Sequence, residues 1–220
     1  MTLASDLEAR RRVLARALPS VPFDGWTPRL LATAVSAAGF DELDQRRLFP
    51  AGVADLVDFY LDEADQEMLR GLAAYDLEAM RVRERIAAAV RLRLQQAAPR
   101  REVVRRTVAY QSLPGRGPRA ARGLYRTVDR IWRAAGDRAT DFNFYTKRGL
   151  LAGVYASTLL VWLNDTSAQF EETQGFLDRR IDDVMRIERW RGRLEGLGRR
   201  LPSPWSVLGR FRHGVGRRAA

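Results

Sequence analysis

Apolar residues return at every third or fourth position through most of this chain, and that period admits helix and little else. Val53, Val57, Tyr60, Ala64, Met68 and Leu72 form one such stripe, and Val82, Ile86, Val90 and Leu94 another. Leu124, Val128, Ile131, Trp132 and Ala135 form a third, and Leu177, Ile181, Val184 and Met185 a fourth. No comparable run alternates with period two, so the expected class is all-α. Breaks fall where Pro, Gly or short polar side chains cluster: residues 19–24, 39–42, 49–52, 99, 114–118, 136–141, 164–167 and 192–204. They divide the chain into about nine body helices and one short tail helix. The predicted boundaries are a first segment at 1–50, a helical body at 51–191, and a linker with a C-terminal helix at 192–220.

The run from Gly149 to Leu163 holds fifteen residues without a charge and is apolar almost all round, the pattern of a helix buried on most faces. At about 1.5 Å per residue it reaches only ~22 Å, short of the roughly 30 Å of a bilayer's hydrocarbon. It therefore reads as the centre of a core, a dimer seam or the wall of an apolar pocket. Thr140 or Asp141 is placed to cap its start, with Phe142, Phe144 and Tyr145 on the first turn.

Chemistry is constrained by what is missing. The 220 residues include no Cys and a single His, His213, which removes disulfides, thiolate nucleophiles and Cys/His zinc sites. No Glu is followed three residues later by His, as a di-iron helical bundle requires. The chain is accordingly not expected to be an enzyme, and no cofactor is expected. Asp62, Glu63, Asp65 and Glu67 read as a solvated helix face.

Of the net charge of +11, +8 lies in the last 35 residues. Ser203 and Pro204 open a short helix there on which Trp205, Leu208 and Phe211 share one face, flanked by Arg210 and Arg212. This tail is expected to lie on an anionic membrane surface. The N-terminus carries Asp6 and Glu8 among its arginines and no long apolar stretch, so it reads as neither a secretory signal nor a transit peptide. The expected location is the bacterial cytoplasm, peripheral on the inner face of the cytoplasmic membrane.

The first three helices, ending at Leu18, spanning Pro28 to Ala38, and around Leu43 to Leu48, have helix-turn-helix proportions. The third would present Asp41, Glu42, Asp44, Gln45, Arg46 and Arg47, in which three carboxylates oppose two arginines. Facing a phosphate backbone, that balance disfavours DNA, although a ligand-responsive repressor of TetR type remains the alternative function.

Phe142-Asn143-Phe144-Tyr145-Thr146-Lys147-Arg148 resembles the ubiquinone-biosynthesis accessory family whose mitochondrial member is the ninth numbered coenzyme Q protein. So do Ala135-Gly136-Asp137 before it, and Phe170-Glu171-Glu172-Thr173 with Phe176 to Asp183 after it. The likeness covers roughly residues 124–187. Phe144 stands where the family often has Trp, and Gln174 where another Trp often follows the threonine. The resemblance implies a TetR-like homodimer, without catalysis of its own, that binds an isoprenoid lipid or quinone precursor and presents it to a separate demethoxyubiquinone hydroxylase. The implied docking surface includes Leu124, Val128, Ile131, Trp132 and Tyr145; by spacing alone the same stripe serves equally as core. For the implied lipid pocket the candidates are Leu151, Tyr155, Leu159, Trp162, Phe176, Leu177 and Ile181, which a packed dimer bundle would need as well.

Overall fold

The computed structural model describes the backbone of residues 3–136 and 142–198 and the side chains of residues 4–136 and 146–186. Every regular element among them is helical. In order these are α1 (Leu3–Ala17), α2 (Val21–Asp24), α3 (Pro28–Ala37), α4 (Glu42–Leu48) and α5 (Val53–Leu72), then α6 (Val82–Ala97), α7 (Arg101–Gln111), α8 (Gly117–Ala134), α9 (Phe142–Asn164) and α10 (Glu171–Gly198). The described residues divide into two units, one ending at Ile181 and one beginning at Asp182. Two local expectations change. The stretch at 19–24 contains the single-turn helix α2, because Pro22 fits a first helical turn, where a missing N–H costs nothing. The stretch from Gly192 to Gly198, expected as linker, continues α10. Thr140 and Asp141, and the tail residues Trp205, Leu208, Arg210, Phe211 and Arg212, lie outside the described residues.

Sequence sets the ends of the early helices. The Thr27 hydroxyl accepts from the Leu30 N–H at 3.1 Å with Pro28 following, and the Asp41 carboxylate accepts from the Asp44 N–H at 2.8 Å. Gly39 adopts a positive φ of 80°, which lets its own N–H and that of Phe40 bond back to the last carbonyls of α3. The core around α1 to α4 is continuous with α5 and α7: Val13, Leu31, Phe49, Leu56, Tyr60 and Val103 belong to one buried cluster. Trp26 joins it by donating its Nε1–H to the Thr107 hydroxyl at 2.9 Å.

The largest departure from the sequence reading lies on α5. Asp65, expected in solvent, is fully buried. Its carboxylate accepts from the Thr127 hydroxyl at 2.9 and 3.0 Å, from Arg93 Nε at 3.3 Å and from Arg130 at 3.2 Å. It is the innermost member of a ladder. Asp55 and Asp58 pair with Arg119, and Asp62 pairs with Arg126 and Arg130. Pairs advance in the same direction along both helices, so α5 and α8 run parallel here. Carboxylates spaced three and four apart thus form a second stripe on α5, facing α8 instead of water.

Removing Asp65 leaves the buried Arg93 without its carboxylate, whereas Asp62 and its arginines are partly solvated. Asp65→Ala is expected to lose about 3–5 kcal/mol and Asp62→Ala under about 1 kcal/mol in urea unfolding. Equal small losses would show that Asp65 does not hold the Arg93 charge.

Candidate functional site

Small residues on one face of α8 keep it from closing against α9. Ala120, Ala121 and Gly123 leave room there, and a pocket of about 350 Å³ opens between them, Leu124 and Thr127 of α8, Tyr155, Ala156, Leu159 and Leu160 of α9, Val108 and Gln111 of α7, and Leu61 of α5. A β-carbon built on Gly123 would meet Leu61 at 3.8 Å and Gln111 at 4.0 Å, ordinary contact that any longer side chain would extend into the pocket. Beyond Tyr155 and Leu159 lies a recess of about 40 Å³, bordered also by Tyr60, Arg93, Val104 and Thr107. The wall is mostly hydrocarbon, and polarity gathers at this inner end.

Burial pushes the Tyr155 phenol up from its ordinary pKa; Arg93 opposes this and Asp65 reinforces it. Tyr60 is raised in the same way, chiefly by burial. Both stay protonated through the physiological range and offer O–H donors. Burial works against the Arg93 charge, and the Asp65 carboxylate paired with it holds the guanidinium ionised.

Of the seven predicted pocket residues, Tyr155 and Leu159 line the main pocket. Trp162 and Leu177 border a separate cavity of about 30 Å³ together with Phe170. Leu151 and Ile181 are buried in helix packing, and Phe176 is half-buried beneath Arg180. Of the predicted docking stripe, Leu124 lines the pocket instead. Val128 and Ile131 are fully buried and Trp132 is 2% exposed, so on the described chain they present no surface to a partner. The reason is that α8 turns this stripe onto α5, α6 and α9. Trp132 donates its Nε1–H to the Lys147 carbonyl at 3.2 Å, and beside the stripe Arg126 and Arg130 pair with Asp62 and Asp65, and Arg133 with Asp129. Tyr145 has no described side chain. Periodicity gave no warning of Gly123, Gln111, Ala120 or Ala121; the available signal was the run of small residues beside the arginines on α8.

The end of α9 that supports the pocket is held from two sides. Arg101 donates to the Trp162 and Asp165 carbonyls, each at 2.6 Å, and Arg105 donates to Leu163, which satisfies carbonyls that the helix itself leaves free. The buried Asp165 carboxylate accepts from the backbone N–H groups of Ser167 and Thr173, each at 2.8 Å, and from both hydroxyls, each at 2.5 Å. Burial alone would raise its pKa, but these four donors outweigh it and hold the carboxyl below the usual carboxylate range. A depressed folded-state pKa means stability that is complete above the unfolded value of about 3.9 and decays as pH falls below it. The melting-temperature difference between the wild type and Asp165→Asn is therefore expected to be constant from about pH 8 to 5 and to shrink below about pH 4. A difference that grew toward acid would contradict this arrangement.

Known proteins resemble the chain in two ways. The sequence model of the COQ9 family matches residues 117–188, the segment that supplies α8, α9 and the start of α10. Ubiquinone biosynthesis protein COQ9, mitochondrial, of Rattus norvegicus is 31% identical over 190 residues, covering 83% of this chain and 61% of the rat protein. The Homo sapiens protein of the same name is 30% identical, covering 83% and 59%. The chain thus spans about 60% of the length of these curated relatives. Among solved structures, the TetR transcriptional regulator from Nitrosomonas europaea superimposes with a TM-score of 0.61 at 22% identity, covering 79% of this chain and 95% of that one. At that identity the likeness is one of fold.

Proposed function

Since the chain belongs to the COQ9 family of ubiquinone-biosynthesis proteins, we propose that it is a non-catalytic accessory of that pathway which binds an isoprenoid quinone precursor and presents it to the demethoxyubiquinone hydroxylase. The observation that carries this reading is the apolar pocket of about 350 Å³ between α8 and α9, most of whose lining residues fall in the matched segment. A polyprenylated quinone has negligible solubility in water, so an apolar cavity outside the bilayer lowers the cost of moving it toward an enzyme. Charge supports the same reading over a TetR-type repressor. On α4, Arg46 pairs with Glu42 at 2.6 Å, and Arg47 pairs with Asp44 at 2.8 Å and with Asp6. The cations that would meet phosphate are already engaged by carboxylates, which themselves repel it. A homodimer through the last body helices completes the proposal.

Filling the pocket tests it. Gly123→Leu is expected to cut the isoprenoid lipid recovered by solvent extraction and mass spectrometry about tenfold, with the melting temperature unchanged or raised. Full recovery from the variant would place the lipid outside this pocket.

Membrane attachment is assigned to the tail, through Trp205, Leu208 and Phe211 with Arg210 and Arg212. The intact chain is expected to float with cardiolipin-containing vesicles and to lose that association in high salt. Deletion after Arg200 should abolish flotation; equal flotation of both forms would reject the anchor.

A further inference from the structure

The inner end of the pocket is built to hold something more than hydrocarbon. Tyr155 and Tyr60 are only 8% and 5% exposed, and their hydroxyls make no hydrogen bond to another described residue. Buried phenols ordinarily find a partner; neither of these hydroxyl oxygens is sealed inside the protein, so both remain reachable from the recess that the two side chains line. Thr107, beside them in the recess, is by contrast fully engaged: it accepts from Trp26 and donates to the Val103 carbonyl. Arg93 stands behind the two phenols and commits its Nε–H to Asp65 at 3.3 Å. Gln111 borders both the pocket and the recess, and its amide likewise makes no hydrogen bond to another described residue.

We propose that the ligand enters oxygenated end first, a neutral ring lying against Tyr155 with one oxygen substituent in the recess between the Tyr155 and Tyr60 hydroxyls, and its apolar chain running out past Leu124 and Leu160. The inference rests on the lipid-binding reading above and adds the direction in which the ligand lies and the groups that meet its oxygenated end. Size fits this division: the recess of about 40 Å³ admits a carbonyl or methoxy group but no ring, while the outer pocket of about 350 Å³ takes the ring and the start of a chain. Charge points to a neutral acceptor. The Arg93 cation is already matched by Asp65, so a phosphate or carboxylate would lose its hydration without gaining an unclaimed cation. Two protonated phenols each offer an O–H that a carbonyl or ether oxygen can accept.

The experiment uses the full chain after delipidation, with decylubiquinone and decylbenzene as probes. Both carry a six-membered ring and a ten-carbon chain; only the first carries oxygens. Calorimetry is expected to show decylubiquinone binding at least tenfold tighter. Tyr155→Phe and Tyr60→Phe, each checked by thermal melting, should weaken decylubiquinone binding about fivefold or more and leave decylbenzene binding unchanged. Equal affinity for the two probes, or a decylubiquinone affinity indifferent to both Phe variants, overturns the orientation but leaves the lipid pocket standing, provided Gly123→Leu abolishes binding of both. Failure of both probes to bind the wild type overturns the orientation and the lipid-binding reading together.

Discussion

A single carboxylate with no access to solvent, Asp65, joins three helices. It comes from α5, Arg93 from α6, and Thr127 and Arg130 from α8. Ionised groups leave water at great cost, so such a cluster survives only when every partner is in place. That requirement fixes where α8 sits along α5, and the outer pairs of Asp55, Asp58 and Asp62 with Arg119, Arg126 and Arg130 follow the same register. Those outer pairs are partly solvated and individually weak. Their contribution is direction; the buried member supplies the constraint.

The pocket follows from that placement. Thr127, which donates to Asp65, stands one helical turn beyond Gly123, so the face of α8 adjoining the charged stripe is also the one lined with Ala120, Ala121 and Gly123. Small side chains on a helix that cannot slide leave space that the surroundings cannot close. The same cluster makes the inner end polar, because Arg93, paired with Asp65, borders the recess together with Tyr155 and Tyr60. One arrangement of charge therefore locates the cavity and gives it a polar end.

The likeness of fold to a TetR regulator separates fold from use. Helices α1 to α4 keep the helix-turn-helix proportions, and their buried cluster runs on into α5 and α7 through Tyr60 and Val103. The surface of α4 carries carboxylates that occupy its own arginines. A scaffold that in the solved structure belongs to a transcriptional regulator is found here in a chain similar to ubiquinone biosynthesis proteins, with most of the pocket lining in the segment that the family match covers.

Sequence alone determined the helical class, most helix boundaries and the family, because turn residues, caps and a three-to-four period act over short distances along the chain. It brought Tyr155 and Leu159 to the pocket through the uncharged run of α9. Three decisions waited for tertiary structure. Asp62 and Asp65 lie three residues apart on one acidic stripe, yet one is partly solvated and the other fully buried. Leu124 and Trp132 share one apolar stripe, yet one lines the pocket and the other sits under Lys147. Gly192 lies inside α10, although its composition reads as linker. Periodicity states which face of a helix is apolar or charged, but the depth of any residue depends on which other helix crosses it, and that is set by partners such as Arg93 and Arg130, tens of residues away in sequence.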